Sequence, residues 1–509
     1  MKNAEFNTAE GLKTVGYGEL IRRYSLEVIP HYVRSYIAEK GRSKTVIDVH
    51  RRTEIYTKKY DPGDELGDHL KFALKFEQIN LEILSALFLV IDHKELERFI
   101  KETPAGKYTR KIWFLYEFLT GKELDLEPSK VSNYVELLDR SNYYTTKGIP
   151  QRRQKIINNL LGDRRFCPMI RKTDALKNCV DLQLDKKGVE VVGNYPEEVL
   201  RRAISYLYTK ETRSSFEIER TTPDQKRAAR FIELLKFADN REFFNKPSLI
   251  ELQQATVDER FANTDFRADQ NYVGQTVSFG NEVVHFVAPK PEDIPELMEG
   301  MFYTYESMMS SGVPPVIIAA AISFGFVFIH PFDDGNGRIH RFLIHNILAK
   351  KGFTAKGLIF PISATMLRKI KDYNETLELF SKPLLQLLDY ELESDGRMKV
   401  KNETALHYKY IDMSAIAERL FEFIRETIET ELVSELDFLL DYDKAKLAIR
   451  DVVDMPDRLI DLFIRLCIEN NGRLSKNKRK SNFERLTDGE VAQMEESIRK
   501  AFNMGEENT

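Results

Sequence analysis

The chain has 509 residues, with 76 Lys and Arg against 80 Asp and Glu, for a formal net charge of −4. This length predicts two to four domains with sizeable cores, and so small a net charge argues against nucleic acid as a partner. A hydrophobic share of 42% beside 31% charged residues excludes wholesale disorder. The three cysteines (Cys167, Cys179, Cys467) are widely spaced with no C-x-x-C, which excludes a disulfide framework and a Cys-based zinc site and suits a reducing compartment. The first twenty residues contain no apolar run of the secretory kind. The longest apolar stretch, Val316–Ile329, has 14 residues where a membrane span needs ~20. A cytoplasmic protein without membrane contact is the expectation.

In chain order, Leu70–Leu84 repeats apolar residues at i, i+3/i+4 and i+7, and Ile112–Leu119 continues that pattern up to Gly121, a helix-stop residue. Residues 1–190 are therefore expected to form a mostly helical domain. Segment 181–195 breaks the pattern with alternation and glycines and reads as a short hairpin or a linker. A second helical block fills a core of residues 191–392. Inside it, Asn271–Val287 is rich in β-branched and aromatic residues, with Gly280-Asn281 between two such runs, a hairpin signal. Asp395–Thr404 is polar and reads as a linker, and helices return in a C-terminal domain, 393–509. There, the basic run Lys476–Lys480 reads as a solvated turn. Thr487 and Glu490 make a capping box behind Leu486. The fold class is mainly α, with one small hairpin.

One stretch carries chemistry: His330-Pro-Phe-Asp-Asp-Gly-Asn-Gly-Arg-Ile-His-Arg341. His330 stands at the end of the apolar helix 316–329. Ile339, Phe342, Leu343 and Ile347 then mark one face of a following helix. Between them, Gly335-Asn336-Gly337 lets backbone N–H groups turn inward as an anion nest. The next helix adds its unpaired N–H groups and the positive end of its dipole. Arg338 and Arg341 lie three apart on one helical face, within reach of a single anion. Asp334 is an oxygen ligand suited to Mg²⁺ shared with phosphates, and His330 is a candidate general base at neutral pH. Together these groups describe phosphoryl or nucleotidyl transfer.

The string resembles the signature of the Fic family, H-x-F-x-D/E-G-N-G-R-x-x-R, at every fixed position. The resemblance implies a Fic-type helical core with a β-hairpin flap, flanked by helical N- and C-terminal domains. It also implies transfer of AMP from ATP to a Ser, Thr or Tyr hydroxyl of a target protein, which can be the chain itself. His330 would deprotonate that hydroxyl, Phe332 would anchor the loop and Asp334 would hold Mg²⁺. Gly335, Asn336 and Gly337 would cradle the phosphates, Arg338 would meet the β-phosphate region and Arg341 the γ-phosphate. Segment Asn271–Val287 resembles the flap that holds the target by strand addition, here with Tyr272, Val273, Gly274, Thr276 and Val277. Tyr373 is a candidate for the adenine pocket, against the plainer reading of a core aromatic.

Ser215-Phe-Glu-Ile-Glu219-Arg220 resembles the family's inhibitory motif S/T-x-x-x-E-G/N except at its last position. By that resemblance Glu219, on an inhibitory helix with Ser215, pairs with Arg341. The local competitor is a capping box at Ser214–Glu217 with Glu219 as a first-turn acid. A homodimer that locks this helix is compatible with the resemblance. Leu70–Leu87, Lys107–Leu126, Phe166–Thr173 and Asn470–Glu495 also resemble the flanking regions of longer bacterial Fic proteins. Two other functions remain open: removal of AMP from a modified protein, and a nucleotide-sensing regulatory or interaction protein.

Overall fold

The computed structural model describes residues 12–48, 51–278, 281–393 and 395–504. Most of the chain is helical. It divides into two compact units, each assembled from separated stretches. One comprises residues up to Leu182 with Glu219–Phe353 and Lys369–Glu422, and the other Gln183–Ile218, Thr354–Arg368 and Phe423 onward.

In the first unit, helices Leu66–Phe72, Leu81–Val90, His93–Glu102 and Lys107–Thr120 share a core around Leu70, Leu84, Leu87, Ile112 and Trp113. Asn80 and Asp92 cap two of these helices, their side chains accepting from the backbone N–H groups of Ile83 and Lys94. Gly121 closes the last in the left-handed conformation at φ 69°, as its position in the sequence predicts. The periodicity did not announce two small sheets. Strands β1 (Leu12–Val15), β2 (Val33–Ala38), β3 (Lys44–Asp48) and β4 (Arg51–Thr57) lie in the order β1-β2-β4-β3. Strands β5 (Val135–Glu136), β6 (Ile149–Gln151) and β7 (Ile156–Asn158) lie in the order β5-β7-β6. Strands of two to seven residues are too short to stand out from their surroundings by alternation.

The apolar stretch 316–329 is a core element, as predicted. It runs as helix Pro315–Ala319, a π-helical turn Ala320–Phe324 and helix Gly325–Ile329, with every side chain from Val316 to Ile329 buried. Helix Asn336–Lys350 lies beside it and is buried on nearly every face. Strands β8 (Tyr272–Ser278) and β9 (Asn281–Val287) form the expected antiparallel hairpin. Gly280 of its turn lies outside the described residues. Among the described residues no helix is long and apolar enough to cross a membrane.

The second unit corrects two local expectations. Segment 181–195 is neither hairpin nor linker but holds helix Leu184–Gly193. Gly188 is there for contact, since a Cβ would lie 2.6 Å from the ring of Phe360. The basic run 476–480 is helical, within Lys476–Asn482, because Ser475 caps it by accepting from the N–H of Lys478. Helix Glu197–Ile218 is held by Ser363 donating to Glu211 and by Lys210 pairing with Glu431 and Glu435. Residues 214–217 are thus the end of a helix, and the capping-box reading of Ser214–Glu217 falls. The capping box at Thr487 and Glu490 is present in full. Back in the first unit, the linker expected at 395–404 is partly a hairpin, β10 (Tyr390–Leu392) with β11 (Met398–Val400).

Truncating the fully buried Ile322 to Ala is expected to cost about 2–5 kcal/mol. Thermal unfolding of the variant against wild type measures it, and an unshifted transition would contradict the packing.

Candidate active site

The apolar helix ends at Ile329, and His330 turns the chain out of it in the left-handed conformation at φ 51°. This is a costly backbone for a residue with a Cβ, of order 1 kcal/mol, and it must be held by its surroundings. Phe332 drops into the core with no exposed surface, against Phe266 and Phe326. The Asn336 side chain braces the loop from the far side, accepting from the N–H of Phe332 and donating to its carbonyl. Gly335, at φ 93°, turns the chain into helix Asn336–Lys350, whose first N–H groups face the loop. With the Asn336 side chain occupied, its backbone N–H is what it offers an anion.

The imidazole of His330 is partly buried, with its Nδ1 3.0 Å from the carbonyl of Val327. A carbonyl only accepts, so Nδ1 carries the proton and Nε2 keeps a lone pair. Burial pushes the pKa of His330 down to about 4, against the Val327 hydrogen bond and with help from the Arg267 charge. His330 is therefore neutral at physiological pH, with a basic nitrogen exposed to the loop.

The two arginines are both buried and both engaged. Arg338 donates to the Thr256 carbonyl at 2.7 Å and to Asp334 Oδ1 at 2.7 Å. Arg341, with 1% of its side chain exposed, donates to Glu219 Oε1 at 2.8 Å and to the Tyr373 hydroxyl at 3.2 Å. Burial opposes the Arg341 charge, but the Glu219 carboxylate and the Tyr373 hydroxyl together offset it and hold the pKa above its ordinary value. Glu219 follows directly on helix Glu197–Ile218 and reaches so close to the loop that a Cβ on Gly337 would lie 2.1 Å from its Oε1. Ser215 is buried within that helix. Arg220 adopts φ 55°, the left-handed region that Gly or Asn occupies most easily, so an arginine here carries backbone strain. Tyr373 is buried with its hydroxyl on Arg341, so it meets the guanidinium.

Asp334 is the acidic residue that fits a cation. Its side chain is 61% exposed, and Oδ1 accepts from the N–H of Gly335 and from Arg338. One exposed carboxylate beside an anion nest matches the usual Mg²⁺ arrangement, in which one or two carboxylates, waters and phosphates share the ion.

The β8–β9 hairpin stands next to this loop, the ring of Phe286 6.1 Å from that of His330. Tyr272 pairs with Val287 and Gln275 with Val283, with irregularities after Val273 and Thr276. Val273 is 43% exposed and Gly274 is also exposed, leaving side chains on β8 open to solvent. The side chains of Thr276 and Val277 lie outside the described residues.

Residues 243–348 match the model of the Fic/DOC family. The chain carries a Fic domain. Curated relatives named protein adenylyltransferase Fic include those of Drosophila virilis, 37% identical over 89 residues, and Drosophila mojavensis, 35% identical over the same length. That stretch covers 18% of this chain and 16% of each relative, so the match spans about a sixth of their length. Among solved structures, a Fic family protein from Desulfovibrio desulfuricans G20 is similar with a TM-score of 0.37 at 15% identity, over 65% of this chain and 85% of that one. A Fic domain-containing signaling protein from Bacteroides thetaiotaomicron VPI-5482 gives 0.34 at 19% identity, over 50% and 94%.

The Fic domain holds His330, Asp334, the nest, both arginines and the hairpin, while Glu219 and Tyr373 come from either side of it in sequence. The sequence reading missed Gln253, Asn263 and Arg267. Gln253 donates to the Asp334 carbonyl and Asn263 to the Asp333 carboxylate. Arg267 bonds the backbone at His330 and Pro331. No periodicity marks them, because they serve a loop more than 60 residues away.

Histidine NMR tests the electrostatics. The His330 resonance, identified by its loss in His330→Ala, is expected to show the Nδ1–H tautomer and to titrate near pH 4. A midpoint near 6.5, the value of an unperturbed histidine, would contradict the burial.

Proposed function

We propose that this chain is a self-inhibited protein adenylyltransferase, moving AMP from ATP to a Ser, Thr or Tyr hydroxyl of a target protein. The observation that carries the reading is the grouping of a neutral, partly buried His330 with an anion nest and two buried arginines. The names of the curated relatives support it. In the reaction, Nε2 of His330 takes the proton of the attacking hydroxyl as its oxygen bonds to the α-phosphorus. The bond from the α-phosphorus to the bridging oxygen breaks, and pyrophosphate leaves with its charge met by the N–H groups of residues 335–337, by Arg338 and by Arg341. Mg²⁺, when bound, would further neutralise the phosphates, and Asp334 is the residue to hold it. An extended target segment would add to the exposed strand β8, at Tyr272, Val273, Gly274, Thr276 and Val277, bringing its hydroxyl to His330. Three widely spaced cysteines fit a reducing cytoplasm as the place of reaction.

Glu219 is the inhibitory element of the proposal. While its carboxylate pairs with Arg341, the guanidinium is unavailable to a γ-phosphate, and a negative charge stands where the phosphate would lie.

Incubation of wild type, Glu219→Gly and the double variant Glu219→Gly/His330→Ala with Mg²⁺ and α-labelled ATP, read by gel and intact mass, tests both parts. Glu219→Gly is expected to raise AMP transfer by roughly 5–150-fold, the range of a typical coupling energy. Combining it with His330→Ala should lower transfer by about 10²–10⁴-fold while ATP still binds. Equal transfer by wild type and Glu219→Gly would remove the inhibitory role. Absence of label in all three, despite ATP binding, would overturn the transferase.

A further inference from the structure

The segment leading into the hairpin is tied to the loop of His330 with unusual completeness. Arg267 is 3% exposed, and its Nε donates to the His330 carbonyl at 2.8 Å. Its Nη1 and Nη2 donate to the carbonyls of Asp269 and Pro289, each at 2.6 Å. Its backbone N–H donates to the Pro331 carbonyl at 2.8 Å. Asn271 continues the series, its Nδ2 donating to the carbonyls of Phe332 and Asp333. Four consecutive carbonyls, 330 to 333, are thus bound by two residues of the 267–271 segment. Asp269 and Pro289 stand at the two roots of the hairpin, just before Tyr272 and just after Val287.

We propose that Arg267 is a positioning residue for His330, a buried fork that fixes both roots of the hairpin to the backbone of the base. This rests on the reading of His330 as general base. A peptide strand added to β8 is then held at a set distance from the imidazole, because hairpin and base share one anchor. The planar guanidinium has donors enough to reach three carbonyls in three directions, which a lysine ammonium on its flexible stem does not hold in fixed geometry. The clamp also explains how His330 persists at φ 51°, since that conformation needs neighbours that over-determine it. The charged groups around the imidazole are Arg267, Glu219 and Asp334, of which Arg267 alone disfavours its protonation.

The test places Arg267→Lys and Arg267→Met in the Glu219→Gly protein, with thermal unfolding as a check on fold. Both are expected to lose about ten- to a hundredfold in kcat for AMP transfer, with KM for ATP within about twofold, the signature of a misplaced base rather than lost binding. Arg267→Met should also move the His330 titration, read by NMR, upward by about half a pH unit or more, because a positive neighbour is gone. Arg267→Lys, keeping the charge, should leave that midpoint in place and still be slow. Unchanged kcat in Arg267→Lys, or an unmoved midpoint in Arg267→Met, would overturn the proposal. Failure of the Glu219→Gly parent itself to transfer AMP would instead count against the function, and the NMR titration would still decide on Arg267.

Discussion

Arg341 carries a full positive charge with 1% of its side chain exposed, and a guanidinium so enclosed needs an anion and acceptors beside it. In the folded chain Glu219 and the Tyr373 hydroxyl meet that need. The terminal phosphate of a nucleotide offers the same chemistry, a negative charge and several acceptor oxygens. Gly337 leaves room for either, since a Cβ there would collide with the Glu219 carboxylate at 2.1 Å. Inhibition and nucleotide binding are, on the proposed function, two occupancies of one buried charge. Deleting the carboxylate of such a pair leaves the buried guanidinium uncompensated, a cost reduced here because Glu219 itself is 35% exposed. A phosphate arriving at Arg341 relieves that cost, which lets an ion pair act as a switch.

His330, the base of the proposed function, depends on a different constraint, the backbone of a short loop. Helix Gly325–Ile329 ends on a histidine in a left-handed conformation, and helix Asn336–Lys350 begins behind a left-handed glycine. Between them Phe332 is sunk in the core and Asn336 ties the loop to itself. Arg267 and Asn271 bond the carbonyls of residues 330 to 333. Burial of the imidazole keeps His330 neutral, and the Val327 carbonyl selects the tautomer that leaves Nε2 basic. The stretch 316–329 ahead of the loop, buried throughout and apolar but for Ser323, supplies a close-packed floor that holds this geometry.

What could be read from the sequence was what is encoded locally. The His330–Arg341 string is contiguous, and its glycines, arginines and acid have meaning at fixed offsets. The β8–β9 hairpin, the stop at Gly121 and the cap at Thr487 are equally local. Glu219 was legible through a short motif, and its contact with Arg341, 122 residues away, has the geometry that motif implied. The failures have one cause. Segment 181–195 read as a hairpin or linker in part for its glycines, but the reason for Gly188, the ring of Phe360, lies far off in sequence. For Tyr373 the core alternative matches its burial, and its hydroxyl accepts from Arg341 across 32 residues. Arg267 was invisible because four scattered backbone groups define its role. The two compact units are likewise built from separated stretches, whereas composition shifts divide a chain only consecutively.

Competition for Arg341 is tested most directly by equilibrium affinity. Calorimetric titration of wild type and Glu219→Gln with ATP and with AMP separates the terminal phosphate from the rest of the nucleotide. If Glu219 occupies the place of that phosphate, the substitution tightens ATP by about tenfold, an energy of ~1.4 kcal/mol, and leaves AMP unchanged. Equal affinities for ATP before and after the substitution, or an equal change for both nucleotides, would contradict it.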